Sequence, residues 1–219
     1  MSSLDYTRQM RIFNPLNQKS KIHIIGGGST GSFICLNLAK LGFESIKVTD
    51  FDKVEEVNIP NQFYRNKDVG EFKVVALKEI VSEFTGTEII AENKLIDEDY
   101  EFDLDSNTII IFCLDNMETR KLIYDKVKDF GIKIIDTRMG GEGFQIYAVD
   151  LLDEDNKRFE SALNGETAET ICGEKSVIYT ILSIASETCN IVKRIDKGET
   201  YPRVVKREMT SWNIVGGIK

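Results

Sequence analysis

The sequence contains a glycine-rich turn followed by an acidic residue, in a spacing that nucleotide-binding proteins use. Residues 26–31 read GGGSTG and stand between an isoleucine-rich run and a segment with helical periodicity. Glycines let the backbone approach a phosphate, and the N-terminus of the next helix offers free N–H groups to it. Asp50, at the end of the second apolar run, is suited to accept hydrogen bonds from both ribose hydroxyls. The pattern predicts nucleotide binding through Gly26, Gly28, Gly31 and Asp50; the alternative is a turn needed only for tight packing.

Three further polar residues are suited to the charges of a nucleotide phosphate. Lys73 opens the second predicted helix, from which its ammonium group could reach phosphate oxygens. Asp115 follows a long apolar run, at the edge where open α/β sheets bind ligands, and a carboxylate there could hold Mg²⁺. Asn58 is interpreted as an uncharged donor to phosphate. The plainer alternatives are a solvated lysine on a helix face and an aspartate that caps the next helix.

Hydrophobic periodicity predicts the elements that must position these residues. Apolar runs predict strands at 21–25, 45–50, 89–91, 108–114 and 132–136, and a half-exposed strand at 144–151. Three- and four-residue spacing predicts a short helix at 4–13 and helices ending near Gly42, Gly86 and Gly131, and a long last helix over 177–195. The polar stretch 152–170 is predicted to be a long surface loop. The alternation predicts an α/β fold, a doubly wound, mostly parallel, Rossmann-like sheet with helices on both faces, as a single domain over 1–219.

The composition narrows the class of partner and the compartment. The 219 residues include 36 acidic and 28 basic side chains, a balance poorly suited to nucleic acid or an anionic membrane. The longest apolar run, 109–114, is far below the ~20 residues that span a bilayer. The N-terminus lacks the basic and apolar segments of a secretory signal, so a cytoplasmic location is expected. The four cysteines form no CxxC pair, so a zinc site is not expected.

Several spaced motifs together resemble the ubiquitin-activating-enzyme-like adenylation family, whose simpler members include ThiF, MoeB and HesA. They are YTRQ near the N-terminus, GGGSTGS, DFDKVEEVNIPNQ, VGEFK and CLDN, and the resemblance runs from Tyr6 to about Ile195. It implies a homodimeric enzyme that binds ATP and Mg²⁺. The implied reaction adenylates the C-terminal carboxylate of a small ubiquitin-like or sulfur-carrier protein. It also implies nucleotide-binding roles for Asp52, Asn58 and Lys73. Lys73 and Asp115 would in addition be catalytic, Asp115 as the metal ligand.

Two more residues receive roles from the resemblance. Arg8 matches an arginine that reaches the partner subunit's nucleotide across a dimer interface; alone it would be an exposed terminal arginine. Cys172 matches the place of a loop cysteine that accepts the activated protein in some members. A thiol at a helix N-terminus near Lys175 would have a lowered pKa, which favours a nucleophile; the alternative is a packing residue.

The sequence departs from the family pattern at one phosphate-binding position. The family's Asn-x-x-Arg-Gln stands here as NIPNQ, with Asn61 in place of the arginine. A bidentate cation has become a neutral amide, which is not conservative at a phosphate site. Either Arg65 or Lys67 supplies the charge, or the enzyme is slow, or adenylation has been lost. Several relatives also carry a paired CxxC zinc site that is absent here.

Alternative functions therefore stay open. One is a catalytically weak or inactive adenylation-fold binding module, which Asn61 favours. Another is an NAD-dependent oxidoreductase, which the glycine turn and Asp50 alone would fit. A third is activation of a small-molecule carboxylate or a nucleobase-linked one rather than a protein. Among the remaining residues, Arg138 is interpreted as lining the substrate groove or pairing with an acid. The other candidates are interpreted as core residues: His23, Cys35, Cys113 and Cys189.

Overall fold

In the described part of the chain, the protein is built on one β-sheet of eight strands. The computed structural model describes residues 4–153, 156–165, 177–210 and 213–217. The strands are β1 (Lys21–Ile25), β2 (Ile46–Thr49), β3 (Ile90–Glu92), β4 (Thr108–Phe112), β5 (Lys133–Gly140), β6 (Gly143–Asp150), β7 (Val204–Glu208) and β8 (Asn213–Gly217). They form one sheet in the order β3-β2-β1-β4-β5-β6-β7-β8. The five strands from β3 to β5 are parallel, and β6, β7 and β8 continue the sheet in antiparallel pairs.

Helices cover both faces of the sheet, as the doubly wound pattern predicts. They are α1 (Ser29–Leu41), α2 (Lys73–Thr85), α3 (Met117–Val127), α4 (Lys157–Leu163) and α5 (Ile178–Lys197). Short 3₁₀ helices span Pro15–Asn17, Glu56–Asn58 and Asn66–Asp68. One apolar cluster unites α1, α2 and α5 with one face of the sheet, and a second unites α3 and α4 with the other. The predicted α/β, Rossmann-like architecture is confirmed.

The central strands read as apolar runs because they are covered on both faces. All five residues of β4 are buried, and β4 pairs with β1 on one side and β5 on the other. Ile25 pairs with Phe112, and Phe112 pairs with Asp136. Strands β1, β4 and β5 are therefore in register at the same edge of the sheet. The loops that follow them emerge side by side at that edge.

Four sequence predictions about elements are wrong. Residues 7–12 form turns instead of a short helix, because isolated bonds such as Phe13 N–H to Gln9 O do not extend into a ladder. The predicted loop 152–170 contains α4, whose Phe159 is buried. Strand β6 is buried rather than half-exposed, because its two faces pack into the two apolar clusters, Ile146 into one and Tyr147 into the other. Helix α3 ends at Val127, before Gly131.

Candidate functional site

A cavity of about 960 Å³ opens at the carboxyl edge of the parallel strands. It is lined by the loops that follow β1 to β4 and by residues within β5. The structure brings most of the residues singled out from the sequence to its wall: Gly26, Gly28, Asp50, Asp52, Asn58, Lys73 and Asp115. Two singled-out residues, Gly31 and Arg8, do not line it.

Two glycines of the turn are needed for close packing, and a third borders open space. Gly26 has φ +97°, and a Cβ there would lie 2.4 Å from the carbonyl oxygen of Cys113. A Cβ on Gly31 would lie 1.8 Å from the carbonyl oxygen of Gly26. Gly28 precedes the first residue of α1, and a Cβ there would meet nothing nearer than Gln62 Nε2 at 4.0 Å. Close packing therefore requires Gly26 and Gly31, whereas Gly28 leaves room for a ligand at the helix N-terminus.

Asp50 is fixed by the backbone around the glycine turn. Its Oδ2 accepts a hydrogen bond from Gly27 N–H at 2.7 Å, and its Oδ1 accepts one from Asp52 N–H at 2.7 Å. The buried Tyr64 hydroxyl donates to the Gly27 carbonyl at 2.6 Å, which braces the same turn. A carboxylate offers about four acceptor positions, so two remain for hydroxyl groups in the cavity.

Lys73 and Asp52 form an ion pair at the cavity wall. Lys73 is the first residue of α2 and is buried, with its Nζ 2.7 Å from Asp52 Oδ2. The Lys73 N–H also donates to the Asp52 carbonyl at 2.9 Å. The structure therefore excludes the alternative of a solvated lysine on a helix face. An ammonium group has three donors, so this pairing leaves capacity for phosphate oxygens.

The sequence allowed Asp115 to be either a metal ligand or the cap of the next helix, and the structure gives the capping role to Asn116. Asn116, not Asp115, caps α3, since its Oδ1 accepts from Thr119 N–H at 2.8 Å. Asp115 is exposed and lines the cavity, and within the described residues its side chain makes no hydrogen bond or ion pair. The capping explanation for Asp115 is wrong, and its carboxylate faces the cavity unpartnered by the described chain.

The loop after β2 adds amide groups to the wall. Asn58 closes a 3₁₀ turn, where its Oδ1 accepts from Glu55 N–H at 2.9 Å, and its amide nitrogen is left to donate. Asn61 and Gln62 also line the cavity. The buried Oε1 of Gln62 has no hydrogen-bond partner among the described residues. The sequence analysis missed Gln62 as a site residue, although it lies inside the motif that holds Asn58.

Arg65 and Lys67 do not take the place of the missing arginine. Both are engaged on the outer side of α2, away from the cavity wall. Arg65 Nε lies 2.9 Å from Asp68 Oδ2, and its Nη2 lies 2.9 Å from Glu79 Oε2. The pKa of Arg65 is raised, chiefly by its hydrogen bonds to Asp68. The structure therefore brings neither cation to the site.

Two arginines lie buried beside Asp136: Arg138, which the sequence analysis interpreted as lining the groove or pairing with an acid, and Arg120, which it did not single out. Arg120 of α3 and Arg138 of β5 both form ion pairs with its carboxylate, and both residues line the cavity. Arg138 Nε lies 2.8 Å from Asp136 Oδ2, which confirms that it pairs with an acid. Arg120 looks like an ordinary polar helix residue in the sequence, so periodicity carries no signal for it. Lys94, at the cavity rim, was missed as well.

The remaining singled-out residues are structural or lie elsewhere. His23 is buried, its Nε2 is 2.8 Å from Thr49 Oγ1, and burial, aided by the charge of Lys47, lowers its pKa to about 3. Burial raises the pKa of the three described cysteine thiols, which fits packing residues: Cys35, Cys113 and Cys189. Arg8 is exposed on the N-terminal turns. Cys172 and Lys175 lie outside the described residues, so the role given to Cys172 stays a prediction.

The sheet order, the glycine turn and the cavity at the carboxyl edge define an α/β protein with a Rossmann-like fold. The chain belongs to the ThiF family, whose model matches residues 6–206. It is similar to the NEDD8-activating enzyme E1 catalytic subunit of Dictyostelium discoideum, with 33% identity over 193 residues, 80% of this chain and 41% of that protein. It is also similar to a probable molybdopterin-synthase adenylyltransferase of Gracilaria tenuistipitata var. liui, with 32% identity over 107 residues, 48% of this chain and 30% of that protein.

A solved structure shares the fold. The crystal structure of E. coli MccB with ATP superimposes with a TM-score of 0.71 at 14% identity, covering 93% of this chain and 65% of that chain. The chain spans less than half the length of either curated relative named above. Their matched regions are therefore parts of larger proteins.

Proposed function

We propose that the protein is an ATP-dependent adenylyltransferase that acts on the C-terminal carboxylate of a small ubiquitin-like or sulfur-carrier protein. The observation that carries this proposal is the meeting of Gly28, Asp50, Lys73 and Asp115 around one cavity. Membership of the ThiF family supports it, as do the names of the relatives, an activating enzyme and an adenylyltransferase. The fold shared with MccB, which was crystallised with ATP, agrees with the same nucleotide.

The proposed reaction brings two anions together. A carboxylate oxygen attacks the α-phosphorus of ATP, the bond from that phosphorus to the bridging oxygen of the β-phosphate breaks, and pyrophosphate leaves with the electron pair. Asp50 would hold the ribose hydroxyls. The free N–H groups of the first turn of α1 and the ammonium group of Lys73 would face the phosphates and offset the developing charge. Asn58 would donate its amide nitrogen to a phosphate oxygen.

Asp115 fits the requirements of a Mg²⁺ ligand. Mg²⁺ takes oxygen ligands and is commonly held by one or two carboxylates together with substrate phosphates and water. Asp115 offers such an oxygen, since it is exposed and unpartnered among the described residues. The described residues contain no group of three or more metal-ligating side chains, so phosphate oxygens would have to complete the coordination. When bound, the ion would neutralise phosphate charge.

A binding module without turnover is the second candidate, because of Asn61. Asn61 lines the cavity with a neutral amide where the family motif has an arginine. Arg65 and Lys67 do not replace that charge. Loss of one transition-state partner commonly costs about 2–4 kcal/mol, so slow turnover is expected under the first proposal and none under the second.

Calorimetry and pyrophosphate exchange test these proposals. Titration with ATP and MgCl₂ should give binding, whereas NADH should not bind; NADH binding without an ATP signal would contradict the proposed nucleotide. Exchange of labelled pyrophosphate into ATP should then appear only when a small carrier protein with a free C-terminal Gly-Gly is added. Binding of MgATP with no exchange for any carrier, small-molecule carboxylates included, would favour the binding module.

The assembly and the location are further proposals. We propose a homodimer, because the family resemblance places Arg8 at the partner subunit's nucleotide. We also propose a cytoplasmic location. Among the described residues, no helix is both long and apolar enough to cross a membrane.

A further inference from the structure

Asp115 depends on its main chain for its position in the cavity. Its side chain makes no hydrogen bond or ion pair within the described residues. The backbone on either side must therefore determine where the carboxylate stands. Two side chains hold that backbone: Arg120 binds the residue before Asp115, and Asn116 caps the helix that starts just after it.

Arg120 ties the end of β4 to β5. Its side chain is 1% exposed, and its Nη2 donates to the carbonyl oxygens of Leu114 and Thr137, the latter at 3.0 Å. An ion pair between Arg120 Nη1 and Asp136 orients the guanidinium plane. A planar fork with five donors can serve two carbonyls and one carboxylate at once, whereas the point charge of a lysine cannot hold the same geometry.

Arg138 shares Asp136 with Arg120 and also bonds to α4. Its Nη2 lies 2.7 Å from Asp136 Oδ2, and its Nη1 donates to the carbonyl oxygen of Ala162 in α4 at 3.2 Å. The two arginines are thus equally buried partners of one carboxylate. Arg120 bonds to the residue that precedes Asp115, whereas the bond that Arg138 donates to a carbonyl reaches α4.

We propose that Arg120, assisted by Asn116, is a positioning residue that presents the Asp115 carboxylate to the divalent cation that accompanies ATP. The inference rests on the proposed function, since it assumes that Asp115 binds that cation. Residues that orient a metal ligand without touching the metal commonly change metal affinity 10- to 100-fold when they are replaced, as an order of magnitude.

The metal dependence of ATP binding tests the proposal without requiring turnover. Dissociation constants are measured by calorimetry for ATP in EDTA and for ATP with MgCl₂, using the whole chain. For Arg120→Lys we expect the metal-containing complex to weaken about 10-fold or more, while ATP in EDTA binds as tightly as to the unmodified protein. Arg138→Lys is the matched control, because it disturbs the same buried carboxylate and should keep the unmodified ratio of the two constants.

Variants of Asn116 keep the proposal testable if Arg120→Lys does not fold. Asn116→Ala should weaken the metal-containing complex several-fold, and Asn116→Ser, which restores a capping oxygen, should recover most of the loss. Equal weakening with and without metal, an Arg138→Lys shift as large as that of Arg120→Lys, or no metal preference in the unmodified protein would each overturn the proposal. A normal metal preference in a protein that adenylates no carrier would contradict the proposed function alone.

Discussion

Asp115 and Asn116 show how adjacent residues after one strand can serve a ligand and a helix separately. The Asn116 side chain caps the first turn of α3, so it stabilises the fold. The Asp115 carboxylate faces the cavity without a partner among the described residues, so the folded chain gains nothing evident from its charge. Replacing Asp115 should therefore affect the cavity alone, whereas replacing Asn116 should cost stability as well.

Asp115→Asn should slow pyrophosphate exchange about 30- to 1,000-fold while leaving the thermal midpoint unchanged within experimental error. The substitution removes the carboxylate that is proposed to hold Mg²⁺, a loss of about 2–4 kcal/mol in transition-state stabilisation. The matched control is Asn116→Ala, which should lower the free energy of unfolding by about 1 kcal/mol because a helix cap is lost. An Asp115→Asn protein that unfolds as readily as Asn116→Ala would indicate a structural role for Asp115.

His23 makes the stability of the fold depend on pH. The folded pKa is about 3 and the ordinary value is 6.5, because the ring is buried near the charge of Lys47. Between pH 3 and pH 6.5, His23 is protonated in the unfolded chain and neutral in the folded chain. The contribution of neutral His23 is therefore complete above pH 6.5 and is lost as the pH falls towards 3.

Urea unfolding at pH 7 and pH 5 measures this effect. Stability should fall by about 2 kcal/mol more in the unmodified protein than in His23→Gln, which can keep the hydrogen bond to Thr49 without titrating. Taking the difference between the two proteins cancels the acidic groups common to both. An identical pH dependence in both proteins would show that His23 is not held neutral by the fold.

At the scale of elements, the turn from β1 to α1 combines packing with ligand access. Gly31 sits against the Gly26 carbonyl and lets the helix approach the strand, whereas Gly28 faces open space at the helix N-terminus. Both glycines belong to the same motif, so the sequence pattern alone assigns them to one role. Only the distances separate the glycine that the fold needs from the one that a ligand needs.

Alanine substitutions should separate these two glycines. Gly31→Ala places a Cβ 1.8 Å from a backbone oxygen that cannot move freely, so we expect a loss of about 3 kcal/mol or an insoluble protein. Gly28→Ala meets no atom closer than 4.0 Å and should fold with an unchanged thermal midpoint but bind ATP at least 10-fold more weakly. Unchanged ATP affinity in Gly28→Ala would place the phosphates elsewhere.

A strand or helix was predictable from the sequence where the strand is buried along its length or the helix is long enough to show several periodic turns. The bounds of β1 agree with the prediction, and α5 follows its four-three rhythm over Ile178–Lys197. Helix α4 has only two turns, so its buried Phe159 and Leu163 give no periodic signal against a polar background. Strand β7 is only partly buried and reads VVKRE, so neither alternation nor an apolar run marks it.

The candidate site was predictable to the extent that motifs specify it. The glycine turn, Asp50, Lys73 and Asp115 belong to spaced patterns, and the fold brings all of them except Gly31 to one wall. Arg120 belongs to no such pattern, because its burial results from the meeting of α3, β4 and β5, which no local signal encodes. Tertiary contacts of this kind must be read from the structure.

In the molecule as a whole, the cavity lies over the parallel half of the sheet and not over the antiparallel half. The cavity lies entirely over the parallel strands β1 to β5, and β6 to β8 extend the sheet away from it. The N-terminal turns are fastened to the body by Gln9 Nε2, which donates to the Leu41 carbonyl at 2.7 Å. Arg8 is thereby held on the surface, outside the wall of its own chain's cavity.

Arg8 should act on the cavity of a second copy of the chain. In a twofold dimer, a mixture of inactive Arg8→Ala and Asp115→Asn chains forms hybrids in which one of two cavities has both residues intact. Random subunit exchange should therefore restore about a quarter of the unmodified pyrophosphate exchange rate. Arg11→Ala is the matched control, since Arg11 is exposed on the same turns and should stay active. A monomer by light scattering, or no recovery once subunits have exchanged, would leave Arg8 without a catalytic role and return it to the class of exposed terminal arginines.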